Sequence, residues 1–447
     1  MKKRAKNLDG KAAGLTLTLL FLFAGTLAVT AQNIILKTTC TAGVQPGNAV
    51  AADVNGDGTL DLISANVGDN SLTVLTNNGD GTFTASETIF SVGNGPAVTA
   101  ADVNHDGKQD LITANFFDNN LTVLTNDGAG NFVFNANYPV GSGPYWVVTS
   151  TNITGDGRQY VITANYKAST LSVLTNNGGG VLGFDATYNV GTGPQYVTVA
   201  DVNNDGKFDL VTANYSGSLT VLTNNGSGVF GSNATYTAGI NGPNNVVAAD
   251  VNGDNKVDLI CANSDNTLIV LTNNGSGRFI LSATNFISSN VNAYPYVTAA
   301  HMNGDIKVDL ISANSGDNKV LVLTNNGSGV FSTNTLYSVG NTPQYIIAAD
   351  VSGDGKPDLI TANYNNNNLT VLLSSGPPPP LSVQSLSATN ALLSWPIYWY
   401  DYGIQQNPAL VGANWTTVTN AISNTTGTNL ATVPISNGNK FFRLVHP

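Results

Sequence analysis

The chain has 447 residues, 42% of them hydrophobic and only 10% charged, with a net charge of −11. That length and apolar content suit two or three packed domains and exclude a disordered polymer, while the acidity argues against holding nucleic acid or an anionic membrane by charge. Aspartate outnumbers glutamate 27 to 1; a general need for solubility draws on both acids, so Asp is used here for its geometry.

Residues 1–31 read as a secretory signal peptide. Lys2, Lys3, Arg4, Lys6 and Lys11 precede an apolar run from Leu15 to Val29, and Val29-Thr30-Ala31 forms a small-residue cleavage site. The product is expected to start near Gln32 and to be secreted or associated with the cell surface, as a monomer. Removing that segment leaves 12 basic against 27 acidic residues. No later stretch is long and apolar enough to span a bilayer. Two cysteines, Cys40 and Cys261, are too few for a disulfide scaffold. Cys261 sits where the other repeats place Ser64, Thr113, Thr163, Thr212, Ser312 and Thr361, so it reads as a small packed side chain, with a Cys40–Cys261 bridge as the lesser alternative.

An Asp-rich loop then recurs seven times, starting at Asp53, Asp102, Asn152, Asp201, Asp250, His301 and Asp350, at spacings of 49, 50, 49, 49, 51 and 49 residues. A period near 50 with only strand-like segments indicates propeller blades rather than a helical solenoid. Within one unit, a short apolar run (Tyr196 to Ala200) leads into the loop. Two β-branched runs follow (Leu210 to Ala213, Leu219 to Thr223), then an Asn-Asn-Gly hairpin signal and a last strand. The fold class is therefore all-β: a seven-bladed propeller of four-stranded blades over residues 32–373. The last repeat lacks its fourth strand, and Ile34 to Lys37 is a strand without a blade; pairing the two closes the ring. A Pro-rich linker at 374–380 precedes a small β-sandwich-like domain at 381–447, read as a structural cap or an attachment module.

Each loop offers hard oxygens at positions 1, 3, 5 and 9 and a turn residue at position 6, the pattern Ca²⁺ requires of a short loop. Five loops are complete: Asp53, Asn55, Asp57, Asp61; Asp102, Asn104, Asp106, Asp110; Asp201, Asn203, Asp205, Asp209; Asp250, Asn252, Asp254, Asp258; and Asp350, Ser352, Asp354, Asp358. The third (Asn152, Thr154, Asp156) ends in Tyr160 and is expected to be empty. The sixth keeps Asn303, Asp305 and Asp309 but starts at His301 and has Ile306 at the turn, which leaves its occupancy open. These loops hold 18 of the 28 acidic residues, a concentration that solvated turns do not explain. About five structural Ca²⁺ sites are expected.

The stretches DVNGDGTLDLISAN, LTVLTNNGDGTF and DVSGDGKPDLITANY resemble the FG-GAP and VCBS-type repeats of bacterial secreted proteins, related to the calcium-binding blades of integrin α-subunits. The likeness covers nearly all of the chain between the signal segment and Gly376. It implies a seven-bladed propeller with calcium between the first and second strands of each blade, and a role in adhesion or recognition. The closing Phe441-Phe442-Arg443-Leu444 resembles the end of C-terminal modules that follow repeat domains in some secreted bacterial proteins.

If the Asp loops mark one face, aromatic residues gather on the other. Phe116, Phe117, Tyr166, Tyr215 and Tyr364 follow the second strands, and Tyr145, Trp146, Tyr196, Tyr296 and Tyr345 lie at the first strands. Each second strand also ends in Asn (Asn66, Asn115, Asn165, Asn214, Asn263, Asn314, Asn363). Aromatic plates with amides suit stacking on sugars; packing between blades and turn closure by Asn is the alternative. Three histidines, His105, His301 and His446, give no basis for a Ser-His-Asp arrangement. Asp69, Asp118, Asp265 and Asp317 remain as acids for a glycosidase pair, and Lys167 with a Tyr for a lyase. Two functions follow: an extracellular module binding a glycan or protein, or a carbohydrate-active enzyme on the same face.

Overall fold

In a computed structural model, the described residues are 34–85, 92–151, 153–176, 179–237, 239–288 and 294–374, with shorter segments between 381 and 445. The expected signal peptide and residues 375–380 of the linker lie outside them. The first blade shows how the sequence writes the unit. Strand β2 (Pro46–Ala52) leads through the Asp loop to β3 (Asp61–Asn66), β4 (Ser71–Asn77) and β5 (Phe83–Ala85), paired in that order and antiparallel. Five more four-stranded sheets repeat the order, with second strands at Asp110–Asn115, Tyr160–Asn165, Asp209–Asn214, Asp258–Asn263 and Asp309–Asn314.

The seventh blade completes itself from the far end of the chain. Its strands Pro343–Ala349, Asp358–Asn363 and Asn368–Ser374 take β1 (Ile34–Thr41) as their outer member, with Ile34 opposite Ser374 and Cys40 opposite Leu369. The unpaired strand read from the sequence thus closes the ring. Each innermost strand packs against the next, and that of the seventh blade packs against β2. The result is the expected seven-bladed propeller.

Burial explains the strand composition. All six residues of every second strand are buried, because neighbouring blades cover both faces of the sheet; apolar residues therefore run continuously instead of alternating. The outer strands, such as Phe132–Pro139, are mostly exposed beyond their first residue. The core consists of seven apolar clusters, one per blade interface. That between blades 1 and 2 holds Ile63, Leu72, Val74, Val98, Leu111 and Phe132. Each such side chain contributes roughly 1.5–3 kcal/mol on burial.

Cys40 and Cys261 are both free thiols. The Cys261 Sγ donates to Asn263 Oδ1 at 3.3 Å, as Ser64 Oγ does to Asn66 at 2.9 Å and Thr212 Oγ1 to Asn214 at 2.9 Å. Cys261 therefore fills the place of a small hydroxyl donor. C-terminal to the ring, Ser382–Ser385, Asn390–Pro396, Thr428–Pro434 and Ile422–Thr425 form one sheet, and Thr416–Thr417, Gly403–Asn407 and Phe441–Val445 another. Ala391, Leu393, Ile404, Ala431 and Val433 form their shared core.

Candidate functional site

The Asp loops and the aromatic residues lie at opposite ends of the strands, and each set is built from local turn chemistry. In the first loop, Gly56 and Gly58 have φ of 76° and 87°, a conformation that costs glycine little. This turns their N–H groups onto Asp53, with Gly56 N–H donating to Oδ1 at 2.7 Å and Gly58 N–H to Oδ2 at 2.9 Å. Asn55 Oδ1 accepts from Asp57 N–H, and Asp57 Oδ1 from Thr59 N–H. The loops from Asp102, Asp201, Asp250 and Asp350 repeat the clasp on their first carboxylate. His105, Asn204 and Asn255 adopt the same left-handed turns without glycine.

Position 9 also has a structural job that its spacing does not announce. Asp61 is fully buried and both its oxygens accept hydrogen bonds inside the blade. Oδ2 accepts from Val54 N–H at 3.1 Å and Oδ1 from Asn77 N–H at 2.8 Å. Asp110, Asp209, Asp258, Asp309 and Asp358 are held the same way. These six carboxylates pin the loop to the end of the third strand. Burial pushes their protonation upward, to about 6 for Asp209 and about 7 for Asp309 and Asp358, and the carboxylates earlier in each loop add repulsion. Among the described residues, no group of three or more His, Cys, Asp or Glu side chains is gathered to hold a metal ion. What five loops offer a divalent cation is hard-oxygen chemistry on a preformed turn: the side chains of positions 1, 3 and 5 and the carbonyl of position 7. That donor set fits Ca²⁺ in kind.

The two divergent loops differ as their sequences require. In the third, whose Asn152 lies outside the described residues, Tyr160 is buried where the others have Asp, with its hydroxyl 3.2 Å from Thr154 Oγ1. The Gln159 carbonyl takes over as acceptor of Asn176 N–H at 2.9 Å. In the sixth, the His301 ring lies 3.0 Å from the Lys307 carbonyl, the atom a cation would use, and burial holds the ring below its ordinary value. Ile306 is not among the left-handed residues.

Two features of this face escape a reading of the loops alone. Position 7 carries a cation in six loops: Lys108, Arg158, Lys207, Lys256, Lys307 and Lys356 stand 3.1–3.9 Å from the position-5 carboxylate. The first loop has Thr59 there, whose hydroxyl donates to Asp57. Second, the Asn ending each third strand reaches into the preceding blade. Asn126 Nδ2 donates to Val54 O at 2.8 Å and to its own blade's Gln109 O at 2.9 Å. Asn77, Asn176, Asn224, Asn273 and Asn325 repeat the link. The seventh blade has Ser374 at that place.

On the opposite face the ten aromatic residues divide into two layers. Trp146, Tyr196, Tyr296 and Tyr345 project from equivalent places on the innermost strands and meet at the ring's centre. Their centroids are 4.7 Å apart for Trp146–Tyr196, 5.3 Å for Trp146–Tyr345 and 4.6 Å for Tyr296–Tyr345. Burial pushes the hydroxyls of all three tyrosines above their ordinary pKa, keeping them neutral. Asn48 and Asn245 occupy the same level, and each clamps the adjacent blade through both amide atoms, Asn48 to Val98 and Asn245 to Val297. Those adjacent blades are the two whose first strands lack the bulge seen elsewhere after the proline. This layer is a packed plug.

Above it lies an exposed layer. Phe117, Tyr145 and Tyr215 are 62%, 46% and 45% exposed. The rings run Phe117–Phe116 (5.0 Å), Phe116–Tyr166 (6.2 Å) and Tyr166–Tyr215 (6.4 Å), with Tyr145 5.8 Å from Phe116. Tyr364 of the seventh blade is close enough to Tyr145 to act on its hydroxyl electrostatically. Turn glycines form the floor: a Cβ on Gly95 would fall 3.0 Å from Phe117, and one on Gly193 3.1 Å from Tyr166.

The asparagines after the second strands are not on offer to a ligand. All seven are fully buried; Asn66 Nδ2, for example, donates to Ser71 Oγ and Thr73 Oγ1 at 3.0 Å each. The acids of this face are also engaged. Asp69 accepts from Val44 N–H and the Ser71 hydroxyl, Asp118 from Asn94, Asp265 from Asn241 and Thr267, and Asp317 from the Ser288 hydroxyl.

Solved structures resemble this fold across nearly its whole ring. BBS1N, crystallised in complex with ARL6DN, superposes with a TM-score of 0.58 at 11% identity, covering 78% of this chain and 99% of that one. A putative 6-phosphogluconolactonase from Bacteroides fragilis gives 0.54 at 14% identity, covering 78% and 96%. Sqt1 of Saccharomyces cerevisiae gives 0.52 at 12%, covering 77% and 100%. At such identities the likeness is one of fold alone. No curated protein sequence matches the chain. The FG-GAP-like repeat model matches residues 53–113, 152–212, 201–261, 250–305 and 301–361. Since those matches take in more than half of the residues, most of them running from the Asp loop of one blade to the second strand of the next, the chain belongs to the FG-GAP-like repeat family.

Proposed function

We propose that this protein is an exported, calcium-stabilised propeller that binds a glycan on its aromatic mouth. The observation that carries the reading is the cluster of exposed Phe117, Tyr145 and Tyr215 with half-buried Phe116 and Tyr166 between them, their rings tilted against one another above turn glycines and facing away from the Asp loops. Aromatic faces bind the apolar faces of sugar rings with little loss of side-chain freedom, especially when already fixed in place. Export rests on the basic and apolar character of residues 1–31. Calcium rests on the donor chemistry of five loops, where Asp53, Asn55 and Asp57 and their counterparts would hold the ion and its charge would offset carboxylate repulsion.

Binding without cleavage is favoured over catalysis because the acids of this face are spent on fastening loops. Incubating the protein with a panel of polysaccharides tests both readings together. Retention with no new reducing or unsaturated ends is the expected result, lost in the Phe117→Ala, Tyr215→Ala double variant. Release of new ends would move the assignment to a carbohydrate-active enzyme. Retention that survives the double variant would remove the aromatic mouth as the site.

A further inference from the structure

The second-to-third-strand hairpins divide the aromatic face by charge as well as by shape. At one place in this hairpin, blades 1, 2, 5 and 6 carry Asp69, Asp118, Asp265 and Asp317, whereas blade 3 has Ala168, blade 4 has a shorter turn through Ser216-Gly217 and blade 7 has Asn366. The three hairpins without the carboxylate are those that carry Tyr166, Tyr215 and Tyr364. Asp118, the acid on the hairpin of Phe116 and Phe117, is bound by the Asn94 backbone and side chain at 2.7 and 3.2 Å.

Blade 3 also carries a cation at this spot. Lys167 is exposed, its Nζ lies 4.5 Å from the Phe116 centroid and 5.3 Å from that of Phe117, and it forms no ion pair among the described residues. Its stem is seated on the turn at Gly143, where an added Cβ would come within 2.8 Å of it. Of the six loop cations on the other face, each faces its own Asp. Lys167 therefore differs in being placed beside aromatic rings with no acid in its own hairpin.

We infer that the glycan of this site is an acidic polysaccharide, with sugar rings on Phe117, Tyr166 and Tyr215 and an anionic substituent at Lys167. The inference rests on the glycan-binding reading above. The net negative charge of the chain does not oppose it, because most carboxylates lie in the Asp loops at the other end of the strands. An ammonium held over aromatic rings keeps donors free for an incoming carboxylate or sulfate, which meets a placed positive charge.

The test uses the full chain and three immobilised probes: polygalacturonate, carrageenan and neutral glucomannan. Wild type is expected to retain an acidic probe about tenfold more strongly than glucomannan, with the preference shrinking as salt rises. Lys167→Met, which keeps the stem, is expected to remove that preference and leave glucomannan retention unchanged, while Lys167→Arg restores it. Polygalacturonate against carrageenan distinguishes a carboxylate from a sulfate partner. Equal retention of all three probes, or a preference that survives Lys167→Met at an unchanged melting temperature, overturns this inference and leaves glycan binding standing. No retention of any probe overturns both.

Discussion

Removing calcium should weaken the ring through positions 1, 3 and 5 of five loops while leaving position 9 at work, and two substitutions in one loop separate these contributions. At free calcium tenfold above its dissociation constant, a filled site stabilises by about 1.4 kcal/mol, so five independent sites supply about 7 kcal/mol. That is comparable to the net stability of a domain and corresponds to a fall in melting temperature on the order of 10 °C with chelator. Asp106 is exposed, and an Asn in its place can still accept the Lys108 N–H. Asp106→Asn should therefore cost about 1.4 kcal/mol in calcium and less than about 0.5 in chelator. Asp110 is fully buried between the N–H groups of Val103 and Asn126 at 3.0 and 2.8 Å. Asn there keeps one acceptor and turns an NH₂ toward the other donor. The loss of one charge-assisted bond and of one satisfied buried N–H sums to about 3–5 kcal/mol, in calcium and chelator alike. Differential scanning calorimetry of the three proteins under both conditions reads all of these values. An unchanged melting temperature of the wild type in chelator would refute the calcium proposal, and an Asp110→Asn cost that vanished in chelator would refute the structural role of position 9.

Further consequences follow from the links between blades. Asn224→Ala leaves the Ile153 and Phe208 carbonyls without their donor and should cost about 2–4 kcal/mol by urea denaturation, whereas Asn225→Ala in the exposed turn beside it should cost under about 1. Lys207→Thr copies the first loop by removing the ammonium 3.9 Å from Asp205, and calorimetric titration should show one calcium site tightened severalfold; weaker binding would mean that the lysine helps to shape the loop. Cys261→Thr restores the hydroxyl donor found in the other repeats and should leave stability within about 1 kcal/mol, with thiol titration of the unfolded wild type giving two free groups.

The parts of this molecule legible in its sequence are those fixed by local backbone chemistry. A left-handed turn that clasps a carboxylate needs an Asp followed at fixed spacings by Gly or Asn-like residues, as in Asp53, Gly56 and Gly58, so the turn chemistry recurred at a visible period and carried the fold with it. The unpaired Ile34 strand was legible because an incomplete last repeat demands a partner. The central plug was not. Its residues, Asn48, Ala97, Trp146, Tyr196, Asn245, Tyr296 and Tyr345, differ in kind from blade to blade, and only closure of the ring brings them together. Tyr145 and Trp146 are adjacent, yet a bulge after Pro144 leaves Tyr145 without a partner in the second strand and exposed while Trp146 enters the plug. The Asn at the end of each third strand was present in the Leu-Thr-Asn pattern, but its neighbour in the Asn-Asn-Gly turn has an ordinary turn role, and that reading absorbed both.

Each face fastens blade to blade by its own hydrogen bonds, which bears on how a ligand at the mouth would be held. On the aromatic side, the hairpin of one blade grips the connection entering the next: Asn70 Oδ1 accepts from Gly95 N–H, Asn119 Oδ1 from Gly143 N–H, Asn318 Oδ1 from Thr342 N–H, and Asn367 Oδ1 from Gln45 N–H across the closure. On the Asp side, the third-strand asparagines grip the loop of the preceding blade. Gly95 and Gly143 are also the floor under Phe117 and Lys167, so the bonds that fasten blade to blade are those that fix the platform. A site built this way pays its ordering cost on folding rather than on binding. Calcium in the distant loops would then act on ligand affinity only through the stability of the ring, and a stable ring without calcium should bind as tightly as one with it.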